Sequence, residues 1–366
     1  MPASIVSVLR DAQNIVISTH SRPDGDAIGS QLGLGLYLQA QGKDVTFLNS
    51  DPAPYNMEWL VGADQIQIYD GSLAQLEVLQ AADVLVVVDT NTVGRLGEVG
   101  KSIRNAPGEK VIIDHHTDPE TWFDHTWIRE TASSAAELVY EIIQEWDSSM
   151  LSADAAQALY VAIMTDTGSF RFSNVSAGLH RTVADLIEHG KLDVSKVYGE
   201  VYEKRSADAI QLLSKVLSTM KMWYDGQVGT MGISRRMLQD IGASTGEAEG
   251  FVNHLLTIET VRAAVMFTET ARGTKASFRS KEDFEVHKWA ASFGGGGHRY
   301  AAGAFLKDDL DDAVRKVMAA APKYLPLADD AEGSDSGATS QDGELNDEDA
   351  AYLESLQKLQ KKFRSI

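Results

Sequence analysis

The chain has 366 residues, 43% of them hydrophobic, which is enough for two domain-sized cores. It carries 33 Lys and Arg against 53 Asp and Glu, a formal net charge of −20, which argues against a protein that grips long duplex nucleic acid on a broad basic face. The absence of cysteine excludes disulfides, thiolate zinc sites and a cysteine nucleophile, so any metal must be held by Asp, Glu and His.

The N-terminal MPASIVSVLRDAQ lacks a basic segment followed by a long apolar core, and no apolar run approaches a membrane span, so a soluble cytoplasmic protein is expected. Short β-branched runs then alternate with helical stretches. Asn14 to Thr19, Asp44 to Leu48, Val84 to Val88 and Lys110 to Ile113 read as strands, with helices over Ala27 to Gln41 and Ser72 to Ala81 between them. This alternation predicts repeated βαβ units and a mainly parallel sheet. Ser134 and Glu137 fit a capping box that opens a helix to Trp146. A second helix, Ser152 to Met164, delivers Asp166 at its C-terminal side. Helical pattern continues through Ala177 to His189 and Val194 to Met220, where the connection between domains is expected.

Farther on, strands are predicted near Gln227 to Ile233, Val261 to Thr268 and Thr274 to Phe278, with helices between, as in a smaller α/β unit. Ala328 to Ala350 is dominated by Asp, Glu, Ser, Gly and Ala and cannot bury enough apolar surface to offset ordering entropy. Ala350 to Ile366 recovers a helical pattern through Leu353, Leu356, Leu359 and Phe363. The predicted organisation is a catalytic domain over 1–186, a helical linker or hinge over 187–206, a second domain over 207–325 and an acidic tail over 326–366.

Aspartate and histidine concentrate where apolar runs end. His20, Asp24 and Asp26 follow the first strand, Asp89 the Val84 to Val88 run, and Asp114, His115 and His116 the run that ends at Ile113; Asp166 follows a helix. Taken singly, Asp24, Asp26 and Asp89 also fit helix caps, and Asp166 fits an ordinary loop aspartate. Two adjacent imidazoles at a buried strand end are seldom needed for packing. In parallel sheets ligands collect outside the carboxyl ends of strands, so the segments together point to a metal site. Oxygen-rich ligation with some imidazole suits Mn²⁺ or Mg²⁺. Two such ions about 4 Å apart can activate water and stabilise in-line phosphoryl hydrolysis, with Asp89 the candidate shared carboxylate. A second signal is the run Gly294 to His298, continued by Arg299: consecutive glycines let backbone N–H groups approach an anion, and Arg279 at a preceding strand end offers a bidentate donor or is simply exposed.

The combination of HSRPDGDAIGS (20–30), VVVDT (86–90), IIDHH (112–116), MTDTGSF (164–170) and GGGGHRYAAG (294–303) resembles the DHH phosphoesterases that carry a C-terminal DHH-associated domain. Size and motif order are most similar to the bacterial nanoRNases, which also remove phosphate from 3′-phosphoadenosine 5′-phosphate. The resemblance spans roughly residues 5 to 322. It implies an α/β fold with an N-terminal mainly parallel sheet, a smaller C-terminal α/β domain and an active site in the cleft between them. It implies two Mn²⁺ ions, with Mg²⁺ as the substitute: one on His20, Asp24 and Asp89, the other on Asp26, Asp89, His115 and Asp166. His116 would contact the scissile phosphate, Asp114 would orient a neighbouring histidine, and Arg279 with Gly295, Gly296, Gly297 and His298 would grip the terminal phosphate and nucleotide. The implied substrates are short single-stranded RNA and small nucleotides, and the family often forms homodimers. Cyclic or linear dinucleotide phosphodiesterase, a RecJ-type single-strand exonuclease and an inactive nucleotide sensor are the alternatives.

Overall fold

A computed structural model describes residues 2–281 and 284–325. The expected acidic tail and terminal helix of 326–366 lie outside the described residues. The chain divides into two compact units, Met1–Lys204 and a second beginning at Arg205.

The first unit runs α1 (Pro2–Asp11), β1 (Asn14–Ser18), α2 (Gly25–Ala40), β2 (Asp44–Asn49), β3 (Gln67–Ile68), α3 (Leu73–Ala81), β4 (Val84–Val88), α4 (Gly100–Asn105), β5 (Glu109–Asp114), β6 (His125–Ile128), α5 (Ala135–Trp146), α6 (Ala153–Asp166), α7 (Ala177–Gly190) and α8 (Val194–Tyr202). Its six strands pair in parallel in the order β3-β2-β1-β4-β5-β6. The central strands carry apolar runs, Ile15–Ile17 in β1, all of β4 and Val111–Ile113 in β5, because both faces are covered. Ile15, Ile17, Val86 and Val88 face a core built with α1, α2, α5 and α6. Val16, Leu85, Val87 and Ile112 face the opposite core, with Leu79 of α3 and Ile103 of α4. A slip of one residue would exchange the two sets, so the register is firmly specified.

The strand order reverses between β1 and β4, because β1 continues to β2 on one side while β4 continues to β5 on the other. The loops after β1 and β4 therefore diverge and leave a crevice at the carboxyl ends of the strands. Those loops carry His20 to Asp24 and Asp89, and Asp26 follows in the first turn of α2.

The second unit runs α9 (Ala207–Leu217), β7 (Lys221–Trp223), β8 (Val228–Ile233), α10 (Arg235–Ile241), α11 (Asn253–Leu256), β9 (Ala263–Thr270), β10 (Gly273–Ser280), α12 (Val286–Ala291), β11 (Gly296–His298), β12 (Ala301–Leu306) and α13 (Leu310–Ala320). Its sheet has the order β11-β12-β10-β9-β8-β7, with β8 and β9 parallel and the other pairs antiparallel. Val265 and Phe267 pack with Trp223, Phe278 and Trp289 on one face. Ala264 and Met266 pack with Leu212, Phe251 and Leu255 on the other.

Two expectations are corrected. The helix predicted over Val194 to Met220 is two helices: α8 stops at Tyr202, and α9 starts afresh where the Ser206 hydroxyl accepts from Ala209 N. Val197 and Val201 are buried in the core of the first unit, so α8 belongs to that unit rather than to a free linker. Short β3, β6 and β7 were not foreseen; they have two to four residues and no β-branched run. Among the described residues no helix is long and apolar enough to cross a membrane.

Candidate metal centre

Asp89 follows β4 directly with φ 57°, a left-handed conformation that non-glycine residues seldom adopt. Its side chain is 4% exposed. Oδ2 lies 3.3 Å from His20 Nε2, and Oδ1 lies 3.5 Å from His115 Nε2 and 3.7 Å from His116 Nδ1. One carboxylate thus addresses both sides of the cluster. His20 Nε2 is 3.9 Å from Asp24 Oδ1, while His115 Nε2 is 3.7 Å from Asp26 Oδ2 and 3.5 Å from Asp166 Oδ2.

Both imidazoles are oriented through their other nitrogen. His20 Nδ1 is 3.0 Å from Ser21 O and His115 Nδ1 is 3.3 Å from Ala132 O. A carbonyl only accepts, so each Nδ1 carries a proton, and each Nε2 faces the carboxylates as the nitrogen that can bind metal once its own proton is displaced. His116 Nδ1 lies 2.7 Å from Asp114 Oδ1, and Asp114, fully buried at the end of β5, fixes that ring.

The cap reading of the first segment is half right. Asp24, 54% exposed, accepts from Asp26 N and Ala27 N and caps α2. Asp26 instead crosses to another helix: Oδ2 accepts from Ala135 N at 2.7 Å and Oδ1 from Ala136 N at 3.2 Å, at the start of α5. The Ser134 hydroxyl accepts from Glu137 N, but Glu137 Oε2 accepts from Ser133 N, so the predicted box is not reciprocal. The α5 N-terminus and the Ala132 carbonyl are supporting groups that sequence reasoning missed. The Ser134 cap was the signal for the former; a backbone carbonyl leaves none.

These groups can hold divalent metal. His20, Asp24 and Asp89 form one set of candidate ligands, Asp26, His115 and Asp166 a second, and Asp89, His115 and His116 a third. Donors at about 2.1 Å from an ion and at right angles are about 3 Å apart, near the observed spacings of 3.3–3.9 Å. His20 Nε2 is buried with no hydrogen-bond partner among the described residues. Electrostatics agree. Burial disfavours charge on His20, yet Asp24 and Asp89 push it up to about 10. Burial and the charges of Asp89 and Asp166 hold Asp26 well above the usual carboxylate range, against the pull of His115. Burial, with Asp89 and Asp24 nearby, brings Asp166 up to about 7 although His115 opposes it. Asp89 itself is held well below the ordinary range, burial notwithstanding, by His115, His20 and His116. Without a cation Asp26 and Asp166 hold protons more tightly than ordinary carboxylates, as expected where negative charge is crowded.

In the second unit, Arg279 of β10 and His298 of β11 both pair with Ala301 of β12, one from each side. The register therefore puts the two residues two strands apart at one level of the sheet. Arg279 is half-buried and one guanidinium nitrogen donates to Phe278 O at 2.9 Å. The glycines are needed for close strand approach: a Cβ on Gly295 would meet Gly303 O at 2.1 Å, and one on Gly297 would meet Ala301 O at 2.6 Å. Gly296 and Gly297 are exposed on the edge strand. Arg299, expected to add a donor for an anion, is ion-paired with Glu285.

The DHH family N-terminal domain matches residues 14–163, and the DHHA1 domain matches residues 228–323. The chain is 31% identical to the bifunctional oligoribonuclease and PAP phosphatase NrnA of Thermus thermophilus, over 88% of this chain and 94% of that protein. It belongs to the DHH phosphoesterase family. The NrnA protein of Bacillus subtilis is 27% identical over 84% of this chain and 93% of its own length. The crystal structure of an exopolyphosphatase-related protein from Bacteroides fragilis superposes with a TM-score of 0.83 at 30% identity, covering 87% of this chain and 95% of that one. As a DHH phosphoesterase the protein is a hydrolase of phosphoester bonds, and its fold is the α/β arrangement that the motif order implies.

Proposed function

We propose that this DHH phosphoesterase hydrolyses short RNA oligonucleotides to 5′-mononucleotides and 3′-phosphoadenosine 5′-phosphate to AMP, with two Mn²⁺ ions per chain. The observation that carries the proposal is Asp89, which turns one oxygen to His20 and the other to His115. In this reading His20, Asp24 and Asp89 hold one ion and Asp26, Asp89, His115 and Asp166 the other, with Mg²⁺ able to substitute. The ions supply activation of water and neutralisation of the phosphoryl charge.

The chain's own residues do the positioning. The His20 and His115 rings are held by backbone carbonyls, so their donor nitrogens need no reorganisation when a ligand arrives. Asp26 is fixed by the first turn of α5, whose N–H groups keep its oxygens in place. His116, locked by Asp114, donates from its remaining nitrogen to the scissile phosphate. Arg279, Gly295, Gly296, Gly297 and His298 of the second unit bind the phosphate-bearing end of the substrate. The NrnA names of relatives that match nearly end to end support this substrate class.

The test is turnover by the purified, Mn²⁺-loaded protein on a dinucleotide, a five-residue RNA, cyclic di-AMP, a long single-stranded DNA and 3′-phosphoadenosine 5′-phosphate. The expected order places the dinucleotide, the short RNA and 3′-phosphoadenosine 5′-phosphate ahead of the other two. Preference for cyclic di-AMP or for the long strand would replace the proposed substrate. Absence of any turnover would overturn the proposed reaction, and nucleotide binding without turnover would favour a sensor.

A further inference from the structure

Helix α6 ends at Asp166, and the chain then passes through Gly168, Ser169 and Phe170 with φ of 56°, 62° and 65°. Glycine accepts that region without penalty, whereas serine and above all phenylalanine do not. The turn is held by hydrogen bonds from Ser169 N to Met164 O at 2.8 Å, Phe170 N to Thr167 Oγ1 at 3.1 Å and Phe172 N to Thr167 O at 3.2 Å. Two aromatic residues two positions apart, Phe170 and Phe172, have different surroundings. Phe170 packs inward on the main core, its ring 5.9 Å from that of Tyr160. Phe172 remains 48% exposed.

The Phe172 ring rests on Gly168, where a Cβ would lie 2.5 Å from its Cζ. The Arg171 guanidinium carbon is 5.6 Å from the ring centre. Gly168 is two residues beyond Asp166, so the two Cα atoms are at most about 7 Å apart. An exposed aromatic ring with a cation beside it therefore rests on a strained turn that begins within two residues of the candidate ligand Asp166, and burial of Phe172 does not explain it. Functional sites are where such strain persists.

We infer that Phe172, flanked by Arg171, is a stacking platform for a nucleobase adjoining the phosphodiester held at the Asp and His cluster. This makes it a specificity-determining residue for the reaction under Proposed function, on which the inference rests. Every base has a π-face, so such a platform favours nucleotide substrates over bare phosphates without demanding one sequence.

The test compares binding of a slowly hydrolysed phosphorothioate dinucleotide, and of its two forms lacking one base, to Mn²⁺-loaded wild type, Phe172→Ala and Phe172→Trp. The wild type is expected to lose roughly 5- to 100-fold in affinity when one of the two bases is removed. Phe172→Ala is expected to lose a similar factor on the intact dinucleotide and little more on the form lacking that base, while Phe172→Trp retains wild-type affinity. Equal affinity of Phe172→Ala and wild type for the intact dinucleotide overturns the inference, as does a loss that is the same for all three ligands. Wild-type turnover of an ordinary dinucleotide, measured in parallel, reports separately on the proposed reaction. Turnover with no effect at Phe172 defeats the platform alone, and binding without turnover defeats the reaction while the affinity ratios still decide the platform.

Discussion

A single backbone angle at Asp89 decides how the cluster is shared. The left-handed φ of 57° turns the residue directly after β4, so its two oxygens split between His20 and His115. Asp89→Asn preserves the shape and removes the charge. The expected result is a fall in bound metal from two ions to one or none per chain, by elemental analysis after dialysis, and a greater loss of turnover than any supporting residue gives. Two ions and normal turnover in that variant would remove the shared role. Asp114→Asn tests the supporting layer, because Asp114 touches His116 at 2.7 Å and reaches the reaction through it. A loss of about 10–100-fold in kcat with little change in metal content is expected. The same residues set a pH dependence. In the metal-free protein His20, raised to about 10, is protonated at pH 7, and Asp166, raised to about 7, is about half protonated. Metal must displace those protons, so affinity rises with pH through this range and binding releases protons. Calorimetric titrations in buffers of different ionisation enthalpy, at pH 6 and pH 8, measure both effects; equal affinities at the two values would contradict the assignment of these groups as ligands.

Helices α2 and α6 bring the two ends of the site together through glycine rather than through large side chains. Gly25, Gly29 and Gly33 recur every four residues on the α2 face that meets α6, and a Cβ at Gly29 would lie 2.4 Å from the Ala158 carbonyl oxygen and 2.7 Å from Ala162 Cβ. Backbone cannot swing aside as a side chain can. Gly29→Ala is therefore expected to cost about 1–3 kcal/mol in urea unfolding. It is also expected to weaken metal binding, because α2 begins beside Asp24 and α6 ends at Asp166. Gly94→Ala, with nothing within 4 Å of the added atom, is expected to stay within about 0.5 kcal/mol of wild type, and equal stability of both variants would refute the close-packing account. The Gly29 stripe lay in plain view in the sequence but carries no hydrophobic period to attract notice. By contrast β1, β4 and β5 were legible because strands buried on both faces must be apolar and β-branched, and their ends announced Asp89 and Asp114. The break between α8 and α9 was hidden because both helices carry the same apolar spacing, so only the Ser206 cap marks the restart. Phe172 was invisible for a related reason: one exposed ring in a turn has no pattern, and its meaning comes from the left-handed turn beneath it.

At the level of the whole chain, each unit has its own pair of cores on the two faces of its own sheet, and the candidate metal ligands, from His20 to Asp166, all lie in the first. Ions that bind only the folded cluster stabilise that unit by linkage, by about 2.7 kcal/mol for one site at a free concentration 100 times its Kd. The metal replaces the protons that Asp26 and Asp166 capture, so this gain at a given free metal concentration is larger at pH 8 than at pH 6. Hydrogen exchange followed by mass spectrometry separates the two units. Mn²⁺ is expected to slow exchange in peptides spanning β1, β4, β5 and the start of α5, where Ala135 N and Ala136 N hold Asp26. Peptides of β9 and β10 are expected to exchange at the same rate with and without Mn²⁺, and chelation should reverse the protection of the first unit alone. Equal slowing in β9 and β10 would mean that the ions couple both units even without substrate, which places a ligand or a metal-dependent contact in the second unit and displaces the assignment of the whole set to the first.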